Sequence, residues 1–123
     1  MKTGETGAIA LRFKLAPGHH TNSHKPSDEF LIPLKLTWEP TSAAPLEIAG
    51  VEYPEGKMEK YAFSEKPLSV YTGDFTVTTR VKAPAGAAKG QRTLNGKLRY
   101  QACSDTMCFA PRTLAVQATV NIQ

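Results

Sequence analysis

The residues best suited to chemistry in this chain are its only two cysteines, in Tyr100-Gln101-Ala102-Cys103-Ser104-Asp105-Thr106-Met107-Cys108-Phe109-Ala110-Pro111. Four residues separate the sulfurs, and the segments on either side read as strands. Both thiols therefore belong to one hairpin tip. A bond between them closes a ring so small that chain entropy assigns it about 2 kcal/mol, against nearly 5 for a loop of about 100 residues. A staple there does little for stability, whereas a tip gives an attacking thiolate access to the sulfur. A reversible disulfide is the leading expectation, ahead of a structural staple and of two free cytosolic thiols. Activation is the weak point. The loop carries Asp105 and neither Lys nor Arg, so its own charge raises a thiol pKa rather than lowering it. Arg99 and Arg112 are near in sequence only.

A metal site is the rival chemistry. Cys103, Cys108, His19, His20 and His24, with Met58 and Met107, form a ligand inventory suited to zinc or Cu(I). Their spacings match no zinc pattern closely. Hydrolytic signatures are missing: there is no Gly-x-Ser-x-Gly, no His-Glu-x-x-His and no phosphate-binding glycine loop. Asp28 and Glu29 are adjacent carboxylates, but neighbours on a strand point to opposite faces.

The elements that must position the cysteines follow from period-2 alternation. Ile9, Leu11, Phe13 and Leu15 share one face; Phe30, Ile32, Leu34, Leu36 and Trp38 repeat the pattern. So do Phe75, Val77, Thr79 and Val81, then Leu94, Leu98, Tyr100 and Ala102, then Leu114, Val116, Ala118, Val120 and Ile122. Such runs predict half-buried strands. Shorter candidates lie at Leu46–Tyr53, Tyr61–Phe63 and Leu68–Tyr71. Turn signals punctuate them at Pro17-Gly18, Glu39-Pro40-Thr41-Ser42, Pro54-Glu55-Gly56, Thr72-Gly73-Asp74 and Pro84-Ala85-Gly86. Asn95-Gly96 looks like a hairpin turn, but Leu94 and Leu98 keep the same parity across it, so the glycine is placed within one strand, at a bulge or its start. No segment carries a helical period. The expected fold is an all-β antiparallel β-sandwich, immunoglobulin-like in outline, with Trp38 packing in or at the edge of its core.

A chain of 123 residues with 41% apolar content fits one domain spanning 1–123. Its first seven residues are expected to be disordered or an added leader. Mean hydropathy is −0.32, and no apolar run approaches the roughly 18 residues that cross a bilayer. Met1–Gly7 leads into no apolar signal region. This fits either a cytosolic protein or one whose leader was replaced by a start Met, and the cysteine reading favours the latter. The net charge of +4 comes from scattered Lys and Arg, with no basic run interleaved with aromatics. Nucleic acid is not an expected partner.

Several segments together resemble one family. Gly96-Lys97-Leu98-Arg99-Tyr100-Gln101-Ala102-Cys103, followed by Cys108-Phe109-Ala110-Pro111, is similar to the active-site hairpin of the N-terminal domains of thiol:disulfide interchange proteins of the DsbD type. Leu15-Ala16-Pro17-Gly18-His19-His20-Thr21-Asn22-Ser23-His24-Lys25-Pro26 resembles an early motif of those domains. Val51-Glu52-Tyr53-Pro54-Glu55-Gly56 and Leu68-Ser69-Val70-Tyr71 fit their middle. The resemblance covers nearly the whole chain, and Tyr-Gln-x-Cys…Cys-x-x-Pro is its specific part.

The resemblance implies a periplasmic immunoglobulin-like domain, a monomer without cofactor, that relays reducing equivalents. Its donor would be a thioredoxin-like C-terminal domain of the DsbD type. Its acceptors would be periplasmic disulfide isomerases or cytochrome c maturation proteins. Cys108 would form mixed disulfides and Cys103 would resolve them. Phe63, with Tyr61 as second choice, would be the aromatic of a cap loop shielding the pair. The Phe63 alternative is an ordinary core residue. His20 and Asn22 stand where the best-known member has tyrosines, and Tyr100 and Phe109 complete the expected surround. Three departures stand out. The cysteine spacing is one residue shorter than in that member. Glu59 and Glu65 flank the cap aromatic where acidic residues precede it there. The membrane-spanning and C-terminal domains are absent from this chain, as for an excised domain or a stand-alone relative. A metal-binding sandwich with a structural disulfide is the alternative function.

Overall fold

A computed structural model describes residues 1–27, 31–39 and 46–123. Ten strands occur among them: β1 (Thr6–Lys14), β2 (His20–Asn22), β3 (Lys35–Trp38), β4 (Glu47–Glu52), β5 (Lys57–Glu59), β6 (Leu68–Thr72), β7 (Asp74–Lys82), β8 (Gly90–Tyr100), β9 (Ala102–Cys103) and β10 (Arg112–Ile122). Every pairing is antiparallel. The strands form three sheets, ordered β1-β7-β4, β10-β8-β3 and β5-β6-β2-β9.

Alternation explains the long strands. Phe75, Val77, Thr79 and Val81 of β7 are buried, and the residues between them are turned outward or half-buried. Leu94, Gly96 and Leu98 of β8 do the same. The inward sets of the first two sheets meet in two apolar clusters. One is built on Leu34, Leu36, Tyr71, Phe75, Val77 and Leu98, the other on Leu46, Val81, Ala83, Leu94, Val120 and Ile122. Trp38 packs against both clusters. Its indole Nε1 donates to Thr79 Oγ1 at 2.9 Å, so the fully buried hydroxyl of β7 has a partner across the sandwich.

The strand through Asn95-Gly96 is continuous, as its parity predicts, and its register with β3 and β10 shows no shift there. Gly96 lies opposite Trp38. A Cβ on Gly96 would sit 2.8 Å from Trp38 Cε3 and from the Thr37 carbonyl oxygen. Close approach of the indole, rather than a bulge, therefore demands the glycine.

The short elements depart from the sequence expectations. Thr6 and Gly7, assigned above to a disordered or added stretch, are strand residues. The residues before them are tied down: Gly4 N donates to Ala83 O at 2.7 Å, and the Met1 amino group to Asn121 O at 3.0 Å. Tyr61–Phe63 is no strand; it lies in the turn that leads from β5 to β6, with Ser64 N donating to Tyr61 O at 3.1 Å. In the described part of the run, residues 31–38, the ladder begins at Lys35. Before it, Leu34 N bonds to Ser23 O, and Pro33 has no N–H to offer a ladder. Phe30, Asp28, Glu29 and Pro40-Thr41-Ser42 lie outside the described residues. The run ending in Ala102 changes sheets: β8 stops at Tyr100, and Ala102–Cys103 pairs with β2 instead.

Candidate functional site: the disulfide hairpin and its buried strand

The β8–β10 hairpin narrows toward the cysteines. Its last regular pair is Tyr100 with Arg112. Beyond it, Phe109 N donates to Ala102 O at 2.9 Å and Ser104 N to Met107 O at 2.8 Å. These two bonds bracket Cys103 and Cys108, which face each other as an isolated bridge and are joined as a disulfide. Ser104 organises the tip: its hydroxyl accepts from Thr106 N and Met107 N, each at 3.3 Å. Ser in this position makes a turn with its own backbone. Asp105, Thr106 and Met107 project into solvent.

The two sulfurs stand in different surroundings. Cys103 is fully buried, at 0% exposure, whereas Cys108 is partly accessible. The burial of Cys103 comes from β2, which lies between β6 and β9 and has all three residues buried. In that ladder His20 faces Cys103, and Thr21 faces Ala102.

Asn22 and Gln101 lock the hairpin onto β2. Asn22 Nδ2 donates to Gln101 Oε1 at 3.0 Å and to Ile32 O at 3.1 Å. Gln101 Oε1 also accepts from Ile32 N at 3.4 Å, while its Nε2 donates to Phe109 O at 3.3 Å. One glutamine thus ties the strand before Cys103, the residue after Cys108 and the buried strand together. Gln101 belongs to the Tyr-Gln-x-Cys motif but is not among the site residues that the sequence predicts. Its type carried no sign that both ends of its amide would be used.

Aromatic rings stack on His20. Tyr61 stacks on His20 with ring centroids 4.0 Å apart and planes 9° from parallel. Phe63 lies parallel to both, at 5.6 Å from Tyr61 and 6.3 Å from His20. Phe63 is 38% exposed, so it is a surface residue rather than an ordinary core one. Lys60 Nζ holds the turn by donating to the carbonyls of Tyr61 and Ser64. On the other flank His19 stacks on Phe109 at 5.9 Å. A groove of about 460 Å³ opens there between Leu15, His19, Tyr100, Ala102, Phe109 and Arg112. A second, of about 420 Å³, runs past His19, His20, Tyr61 and Asp105.

Electrostatics follow burial. Desolvation pulls the His20 imidazole below its usual pKa, with His19 adding to the effect and Asp105 and Glu59 opposing it. Burial pushes the Tyr61 phenol up, helped by Glu59 and Asp105. His24 sits elsewhere: it stacks on Tyr53 at 4.8 Å, and its Nδ1 lies 2.8 Å from the Tyr71 hydroxyl, which itself donates to Pro54 O. The three histidines thus occupy separate ring contacts. Among the described residues, no group of three or more His, Cys, Asp or Glu gathers as metal ligands.

A buried and a partly exposed sulfur are thus joined at a hairpin tip, with His20 opposite the buried one and Tyr61 and Phe63 stacked on His20. Residues 1–119 match the family model for the thiol:disulfide interchange protein DsbD, N-terminal. The chain belongs to the DsbD N-terminal domain family. Among solved structures it is similar to the Neisseria meningitidis DsbD N-terminal domain in the reduced form. The two share 18% identity and a TM-score of 0.58, over 91% of this chain and 76% of that one. At that identity the likeness concerns the fold, an all-β immunoglobulin-like one. Comparison with curated proteins returned no match. As a DsbD N-terminal domain with its cysteine pair joined, the protein is a thiol–disulfide exchange module. Thioredoxin-like redox proteins are the partner class of this family, and the family is periplasmic.

Proposed function

We propose that this domain acts in the periplasm as a monomeric relay. Cys108 forms mixed disulfides with thioredoxin-fold partners, and Cys103 resolves them. One observation supports the assignment of roles: Cys103 is wholly buried while Cys108 is partly exposed. A partner sulfur approaching in line with the Cys103–Cys108 bond reaches Cys108 first and expels Cys103 into the interior. No cofactor enters, because each transfer is a displacement between sulfurs. Reducing equivalents arrive from a DsbD-type C-terminal thioredoxin-like domain and leave to disulfide isomerases or cytochrome c maturation proteins. Tyr61 and Phe63, stacked on His20, form the cap. Tyr100 and Phe109 line the groove on the Cys108 side, where a partner would rest. Asn22 holds the hairpin from beneath.

The test is a trap. Cys103→Ser, mixed with an oxidised thioredoxin-fold protein, should accumulate a covalent adduct through Cys108, resolved on a non-reducing gel and mapped by mass. Cys108→Ser should give none. Equal trapping by both variants would reverse or erase the assigned roles. A disulfide potential well below about −300 mV, the range of structural bridges, would remove the relay altogether.

A further inference from the structure

Among the buried side chains around the disulfide, His20 is the one able to exchange a proton at neutral pH. It is only 2% exposed, and its Nε2 has no hydrogen-bond partner among the described residues. An orphaned ring nitrogen in a buried site is costly, and such groups call for an explanation. Its position offers one. His20 is the direct ladder partner of Cys103 across β2 and β9. Opposed residues of an antiparallel pair put their side chains on one face, with Cβ atoms about 4.5–5.5 Å apart. The imidazole and the buried sulfur are therefore neighbours. Tyr61 stacks flat on the ring, which fixes its plane and closes the outer side.

We propose that His20 accepts the proton of the Cys103 thiol in the resolving step of disulfide exchange. This rests on the exchange reading above. In the mixed disulfide, Cys108 Sγ is bonded to the partner sulfur and Cys103 is a thiol. Cys103 passes its proton to Nε2 of neutral His20, and the thiolate attacks Cys108 Sγ. The bond from Cys108 to the partner breaks and the partner leaves as a thiolate. The cysteine pair has lost two electrons, the partner disulfide has gained them, and the proton passes from His20 to the departing thiolate or to water. In the reverse direction the Cys103 thiolate, expelled into an apolar interior, takes the proton back from the imidazolium.

Neutral His20 is the form that the site favours. Burial holds its pKa below the ordinary value; Asp105 from the hairpin and Glu59 from β5 pull the other way, and His19 reinforces burial. On β6 the residue facing His20 is the non-ionising Thr72. The base is thus ready at neutral pH, and no cation beside the cysteines is required.

The test uses the fully reduced protein and one equivalent of dithiobis(nitrobenzoate). Cys108 attack releases a first thionitrobenzoate; resolution by Cys103 releases the second. His20→Phe, which keeps a ring for Tyr61, and His20→Gln, which keeps polarity, should both slow the second phase by about a hundredfold, the low end of proton-transfer effects. The first phase should stay within about twofold. A His20→Phe protein that resolves as fast as the native one overturns the proposal and leaves His20 a stacking residue. The native protein supplies a second reading even if the variants misfold. Its second phase should rise with pH through an inflection below about 6.5 and then level; a rise governed only by a thiol near about 8.5 overturns it. If the native protein shows no first phase, the exchange reading itself fails.

Discussion

At the residue scale, the hairpin depends on a neutral amide as much as on its sulfurs. Gln101 accepts from Asn22 and Ile32 through Oε1 and donates to the Phe109 carbonyl through Nε2. Removing it strands the inner donors, one of which belongs to fully buried Asn22. Leaving such groups unpaired costs about 1–3 kcal/mol. Gln101→Ala should therefore lower the free energy of unfolding by about that amount in a urea titration. It should also speed reduction by dithiothreitol, because the wall beside Cys108 is released. Gln101→Glu separates the two ends of the amide. It keeps an acceptor for Asn22 but offers the Phe109 carbonyl no N–H, so it should retain more stability than the alanine variant. Unchanged unfolding and reduction in Gln101→Ala would show the amide to be incidental.

At the scale of elements, two close approaches govern how the strands meet. Trp38 crosses the sandwich to Thr79, and Gly96 leaves room for its indole. A methyl group on Gly96 would meet the Thr37 carbonyl and the ring at once. The backbone oxygen cannot swing away, since Thr37 sits in the β3 ladder. Gly96→Ala should cost about 1–3 kcal/mol through overpacking, read as a fall in the urea midpoint with the slope unchanged. The same substitution at Gly86, whose added Cβ meets nothing within 4 Å, should lie within about 0.5 kcal/mol of the native protein. The turn at 60–66 is a different kind of element. It has no ladder of its own, and ring stacking on His20 and the Lys60 bonds to two carbonyls hold it. A segment held this way can move without disturbing the core sheets.

At the scale of the whole molecule, the disulfide and the fold are nearly independent. The two apolar clusters include neither cysteine nor the turn at 60–66, and the bond closes a short ring, worth about 2 kcal/mol. Reduction should lower stability by about that amount and leave a single cooperative transition, measured by urea unfolding with and without dithiothreitol. Loss of cooperativity on reduction would make the bridge a structural staple. Long alternating strands, the continuous strand through Asn95-Gly96 and the shared hairpin of the cysteines were all legible in the sequence, because period-2 burial and chain proximity are local properties. The β2, β5 and β9 strands span three, three and two residues, too few to show a period, so of the sheet that buries Cys103 only β6, expected at Leu68–Tyr71, was legible as a strand. Aromatic spacing at Tyr61 and Phe63 imitated a strand but belongs to a turn. The residue pattern by itself determined an all-β chain with its cysteine pair at a hairpin tip. Only the tertiary structure decided which sulfur is buried, that His20 faces it and that Gln101 binds the hairpin to β2. Those facts depend on the pairing of segments far apart in sequence, where burial and register arise from the packed whole.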